Sequence, residues 1–132
     1  ELNLRSENFV CSVLACSSKK IKGLNAQFRG KNNSTNVLSF PSKAEKYLTN
    51  SSLKFKANAD PLELGDIAIA YEVCNKEAKV SKIKLEDHVY HLIIHSVLHL
   101  LGYDHEEEKN ATEMEKIEVQ VLANLGISNP YL

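Results

Sequence analysis

Tryptophan is absent, methionine occurs once, and only five glycines and three prolines punctuate the 132 residues. So few chain breakers exclude collagen-like and low-complexity classes. A composition that is 43% hydrophobic and 25% charged is that of an ordinary folded chain, not a disordered one. No apolar run approaches the ~20 residues that a membrane helix needs, so no membrane partner is expected. The first residues lack the basic-then-apolar pattern of a secretory signal, although the chain opens on Glu1 and a segment removed from its front stays open. Cysteine is scarce as well. Cys11, Cys16 and Cys74 are odd in number and form no C-x-x-C pair, which points to reduced, small, buried apolar residues and a cytoplasmic location. The length suits one domain, because single cores usually run to ~100–150 residues.

Acidic residues are rare in one half. Residues 1–56 hold ten Lys and Arg against three Asp and Glu, whereas residues 57–132 hold six against fourteen, although the net charge is only −1. If the fold keeps these halves apart, one face attracts phosphates and the other repels them; the alternative is ordinary solvated surface charge.

The apolar and β-branched residues of Asn8–Ala15 suit a strand. Ser17 and Ser18 then offer an N-cap for a helix through Ile21, Leu24 and Phe28 that stops near Gly30. Asn36–Phe40, closed by Pro41, reads as a short strand, and Leu53–Ala57 alternates like a half-exposed edge strand. Ser42–Ser52 between them reads as a loop or short helix. Gly65–Tyr71 is nearly continuous in apolar residues, as a strand covered on both faces requires. From Leu85 to Leu101 apolar residues nearly encircle a helix, which should therefore be central, with Gly102 as its left-handed stop. A last helix is expected over Ala111–Leu125, with Met114, Ile117, Val121, Leu122 and Leu125 on its apolar side. These elements predict a single α+β domain, residues 1–132, with a mixed sheet of about four strands.

All five histidines fall between positions 88 and 105. At ~100° per residue, His88, His91, His95 and His99 share a stripe ~80° wide on one helix face. An i, i+4 pair such as His95 and His99 can present two imidazole nitrogens to one ion, and a chain reversal at Gly102 lets His105 approach as a third ligand. Three imidazoles leave a fourth position for water, whose pKa zinc can lower from ~15.7 to near ~7. Structural zinc prefers four ligands rich in cysteine, and no cysteine lies in this stretch. Zinc, one ion per chain, is the expected cofactor; nickel or another divalent ion also suits three imidazoles. The spacing H-x-x-x-H-x-x-G-x-x-H matches the metzincin zinc signature except that the catalytic Glu is replaced by Ser96, which weakens a protease reading. His91 is expected to pack or to support the ligands from behind. Asp104 is open between orienting His105, contacting bound water and forming the turn after Gly102.

Four segments together resemble the YbeY family of metal-dependent endoribonucleases: Leu24-Asn25 through Phe28-Arg29-Gly30-Lys31, Thr35-Asn-Val-Leu-Ser-Phe-Pro41, Leu64-Gly-Asp-Ile67, and His95 to His105. Met114 and Glu118 also fit the family's last helix. The resemblance implies a zincin-like α+β domain with a central metal-binding helix and zinc on His95, His99 and His105. It also implies a functional arginine at Arg29 and cytoplasmic action on single-stranded RNA. The implied work is maturation of the 3′ end of small-subunit ribosomal RNA and ribosome quality control, with the ribosome or a ribosomal protein as partner and no DNA. Two positions depart from the family's usual pattern: Asn36 stands where Asp is common and Ser96 where Gly is common.

Arg29 has the planar, permanently charged fork suited to phosphate. Lys19, Lys20, Lys22 and Lys31 lie near it in the basic half and are candidate RNA contacts. The rival readings are a metalloprotease-like peptidase and a non-catalytic, zinc-containing ribosome assembly factor.

Overall fold

The computed structural model describes residues 9–42, 62–103 and 107–132. In chain order the elements are β1 (Phe9–Cys16), α1 (Ser18–Arg29), β2 (Val37–Pro41), β3 (Leu62–Ala70), α2 (Tyr71–Ser81), α3 (Leu85–Leu100) and α4 (Glu108–Asn124). The sheet order is β1-β3-β2, with β1 parallel and β2 antiparallel to the central β3. Three strands are thus present among the described residues, where about four were expected. The expected edge strand over Leu53–Ala57 and most of the expected loop before it lie outside the described residues.

β3 is apolar on both sides because both of its faces are covered. Ala68 and Ala70 point to one face and pack with Ile21 of α1 and Leu38 of β2. On the other face, Ile67 packs with Leu98, Leu100, Leu101 and Met114, and Ile69 packs with Cys74 and Leu92. This alternation sets α1 on one face of the sheet and α3 on the other. α3 is central, as its all-round apolar pattern requires: it packs against β2, β3, α2 and α4.

Gly65 fixes the junction between β2 and β3. Its φ is 137°, and a Cβ there would lie 2.2 Å from the Phe40 carbonyl oxygen and 2.9 Å from the Ser42 nitrogen. Only glycine fits so close a backbone approach. The register shift of β1 between Val10 and Cys11 falls opposite the same point of β3.

α1 has the ends its sequence implies. The Ser17 hydroxyl accepts from the Lys20 amide at 3.1 Å, and Gly30 closes the helix in the left-handed region. The segment that follows is held by Asn25, which is 3% exposed and donates through Nδ2 to the Asn33 carbonyl at 2.9 Å.

Several expectations are corrected. Tyr71 does not end a strand but begins α2, a helix absent from the periodicity reading. β3 runs into α2 without a loop, no side chain caps it at Ala70, and its buried residues are only Cys74 and Ala78. α4 starts at Glu108, three residues before the expected Ala111, and Leu125 is 54% exposed instead of facing the core. Cys74 is buried, but Cys11 and Cys16 are only half-buried; all three are free thiols.

Candidate metal centre

The histidine stripe on α3 divides between two neighbours. At the N-terminal end, His88 Nε2 lies 3.0 Å from Glu77 Oε1 of α2, and Asn36 Nδ2 donates to the same oxygen at 3.1 Å. Farther along, His91 and His95 turn to Glu118 of α4, a carboxylate that is fully buried. His99 is on the last turn of α3. Its Nδ1 lies 3.1 Å from the Tyr103 carbonyl, which curls back beyond Leu101 and Gly102.

Glu118 has three partners. Oε1 meets His95 Nδ1; Oε2 meets His91 Nε2 at 3.0 Å and accepts from the Tyr131 hydroxyl. Burial alone would push the carboxyl up, but the hydrogen bonds from His91, His95 and Tyr131 and the charge of His95 more than offset it, holding it at about 2. Burial together with the Glu118 charge raises the Tyr131 phenol.

These contacts fix where the ring protons sit. An ionised carboxylate only accepts, and so does a main-chain carbonyl. His95 must therefore carry its proton on Nδ1 toward Glu118, and His99 must carry its own on Nδ1 toward Tyr103. In the neutral rings both Nε2 atoms are then bare acceptors, yet they face each other 2.9 Å apart. Two lone pairs at that distance repel unless positive charge stands between them, either an additional proton on one ring or a cation shared by both. Two ligands at ~2.0–2.1 Å in a tetrahedral site would stand ~3.3 Å apart. The observed separation is a few tenths of an ångström shorter, so with a small opening the pair could supply two ligands of a divalent metal; among the described residues no third His, Cys, Asp or Glu joins them in a group that could hold one.

The model of the family described as Endoribonuclease YbeY matches residues 1–126. The chain belongs to the YbeY family. Two of the similar proteins carry the name Endoribonuclease YbeY. The protein of Jannaschia sp. (strain CCS1) is 44% identical over 99% of this chain and 81% of its own length. That of Ruegeria sp. (strain TM1040) is 43% identical over 99% of this chain and 79% of its own. The solution structure of TM1509 from Thermotoga maritima is similar in fold, with a TM-score of 0.57 and 31% identity. It is matched over 85% of this chain and 65% of that one.

Within this YbeY framework, the structure brings His95 and His99 together and sets His91 behind His95, on the far side of Glu118. His105 and Asp104 lie outside the described residues. Arg29 is exposed on the last turn of α1, and Lys19, Lys20, Lys22 and Lys31 are exposed along that helix and just after it. Because α1 and α3 cover opposite faces of the sheet, no hydrogen bond or ion pair among the described residues joins Arg29 to either histidine. Ser96 is 0% exposed and its hydroxyl has no hydrogen-bond partner among the described residues, so it takes no part in the imidazole pair.

Sequence reasoning missed the roles of Tyr103, Glu118 and Tyr131. The signal for Glu118 was present: it follows Met114 by four residues and precedes Leu122 by four, an acid on the buried stripe of a helix. A carboxylate in that position demands donors, and histidines on the neighbouring helix are the nearest supply. The Tyr103 carbonyl left no trace in residue type.

Proposed function

We propose that this chain is a divalent-metal-dependent endoribonuclease that cleaves single-stranded RNA during ribosomal RNA processing and ribosome quality control in the cytoplasm. Family membership supports the endoribonuclease reading, since the family model and both relatives are so described. The observation that carries the metal reading is the pair of facing Nε2 atoms on His95 and His99, both deprived of their protons by acceptors on the opposite side of each ring. His105 completes the proposed ligand set, one zinc ion being the favoured occupant. When bound, the metal supplies Lewis-acid stabilisation of phosphoryl oxygens and activates a water for attack.

The chain's own residues do the remaining work. His95 and His99 stay neutral ligands because Glu118 and the Tyr103 carbonyl hold their Nδ1 protons. Arg29 grips a phosphate of the RNA, its fork matched to two non-bridging oxygens. Lys19, Lys22 and Arg29 fall within ~80° of one another on α1 and, with Lys20 and Lys31, form a cationic track for the backbone. From Phe9 to Ser42 the chain has no Asp or Glu to oppose them. Asp104, the residue before His105 in the sequence, would orient His105, contact the bound water or form the turn after Gly102. The buried hydroxyl of Ser96 supplies no base, which disfavours the peptidase reading.

The test is cleavage of a labelled single-stranded ribosomal RNA fragment by metal-stripped protein, with and without one equivalent of zinc. Activity should return with zinc in the wild type and not in His99→Ala, which loses a ligand. Arg29→Ala should keep its metal and lose cleavage through loss of its phosphate contact, and normal cleavage by that variant would refute the role. Zinc binding and tight RNA binding without cleavage would instead support the assembly-factor reading.

A further inference from the structure

We infer that Glu118 is a positioning residue for the metal centre, and that Tyr131 and His91 are the donors that hold it in place. The inference rests on the metal-site reading above and extends it beyond the ligands.

A histidine presents Nε2 to a metal only when its proton is kept on Nδ1, and a carboxylate behind the ring does this while raising the basicity of the ligand nitrogen. For His95 that carboxylate is Glu118. The arrangement goes further than a single pair. Glu118 comes from a different helix, α4, and is fully buried, so its own position must be fixed by something other than water. Oε1 serves His95, while Oε2 is taken by His91 Nε2 at 3.0 Å and by the Tyr131 hydroxyl. The two oxygens have separate duties. Tyr131 also lies 3.2 Å from His91 Nε2, with its ring edge-on to that imidazole at a centroid distance of 5.4 Å. His91, Glu118 and Tyr131 thus form a closed group behind His95, which makes residues beyond α4 part of the centre's support.

Three substitutions separate hydrogen bonding from bulk. Glu118→Leu removes the acceptor, and zinc affinity should fall about ten- to a hundredfold, the usual cost of losing such a partner. Glu118→Gln keeps one carbonyl oxygen for the His95 proton, so it should recover part of that loss. Tyr131→Phe deletes one donor at a largely exposed residue where the fold is not at stake, and should weaken zinc several-fold.

The experiment is zinc affinity by chelator competition, joined to nitrogen NMR of the imidazoles in metal-free protein. Wild type should show His95 protonated on Nδ1, and Glu118→Leu should lose that preference. Should both Glu118 variants fail to fold by circular dichroism, Tyr131→Phe decides the matter. Zinc affinity equal to wild type in every variant that folds would overturn the positioning role while leaving the metal centre intact. A wild type with the expected His95 tautomer that binds no zinc, nickel or manganese would overturn the metal reading and the inference with it.

Discussion

Ser96 and Cys74 show what a single buried polar atom costs. The Ser96 hydroxyl is enclosed in α3 beside His95 and makes no hydrogen bond among the described residues. Such a group carries its desolvation penalty uncompensated. Ser96→Ala should therefore raise stability by about 1 kcal/mol, read as a higher urea midpoint, without changing zinc affinity; a lower midpoint would mean that the hydroxyl has a partner in solution. Cys74 illustrates the same penalty through ionisation. Burial, and then the nearby Glu77 charge, push its thiol up to about 11. The unfolded chain would release this proton near the ordinary value of 9 while the folded one keeps it. Cys74 thus costs nothing below pH 9 and erodes stability as pH rises from 9 toward 11. Cys74→Ala should flatten that alkaline decline in a series of denaturation midpoints. Alkylation at pH 8 should label half-buried Cys11 and Cys16 well before Cys74.

At the scale of elements, the closest backbone approach falls where β2 pairs with the start of β3. Gly65→Ala would drive a methyl into the Phe40 carbonyl, which is backbone and cannot step aside. A loss of about 2–4 kcal/mol is expected, with thermal denaturation as the check. Asn36 joins β2 to α2 by donating to Glu77, which also meets His88 of α3. Asn36→Asp should bring two carboxylates together and destabilise the fold at pH 7 by about 1–2 kcal/mol, the deficit shrinking as pH falls and one of them takes a proton. β1, α1, β2 and α3 were legible from sequence because each announces itself locally: a β-branched run, Ser17 and Gly30 at the helix ends, Pro41, and a helix apolar on all sides. α2 was not. Its start is fused to β3, its stop at Lys82 is a left-handed residue other than glycine, and its contact surface is made of cysteine and alanine. The start of α4 was misjudged for a related reason, as Glu107 gives it no side-chain cap.

For the whole molecule, part of the uneven charge of the sequence has a structural counterpart: four of the ten basic residues of the first half, Lys19, Lys20, Lys22 and Arg29, are carried by α1, while the histidine pair stands across the sheet. RNA affinity should fall steeply with salt, and neutralising Lys19, Lys20 and Lys22 together should lower the slope of log K against log salt by about two to three while sparing zinc affinity. An unchanged slope would remove α1 from the RNA path. The candidate centre was half legible. The spacing of His95 and His99 revealed two imidazoles on one face, because a helix converts spacing into direction. What lies behind those rings was hidden, because Glu118, Tyr131 and the Tyr103 carbonyl arrive from other parts of the chain, and no local period connects them.

The facing imidazoles are held by a buried carboxylate and a main-chain carbonyl, so the protein alone sets these two rings face to face. If the proposed metal binds there, its uptake resembles filling a mould more than triggering a fold: stripping the metal should leave the denaturation curve cooperative, and reloading should be fast. Neutral imidazole nitrogens accept several first-row divalent ions and on their own rank them only by the ions' intrinsic order of affinity. Under the metal reading, the element found in a purified sample should therefore reflect that order together with the trace metals of the medium in which the cells were grown.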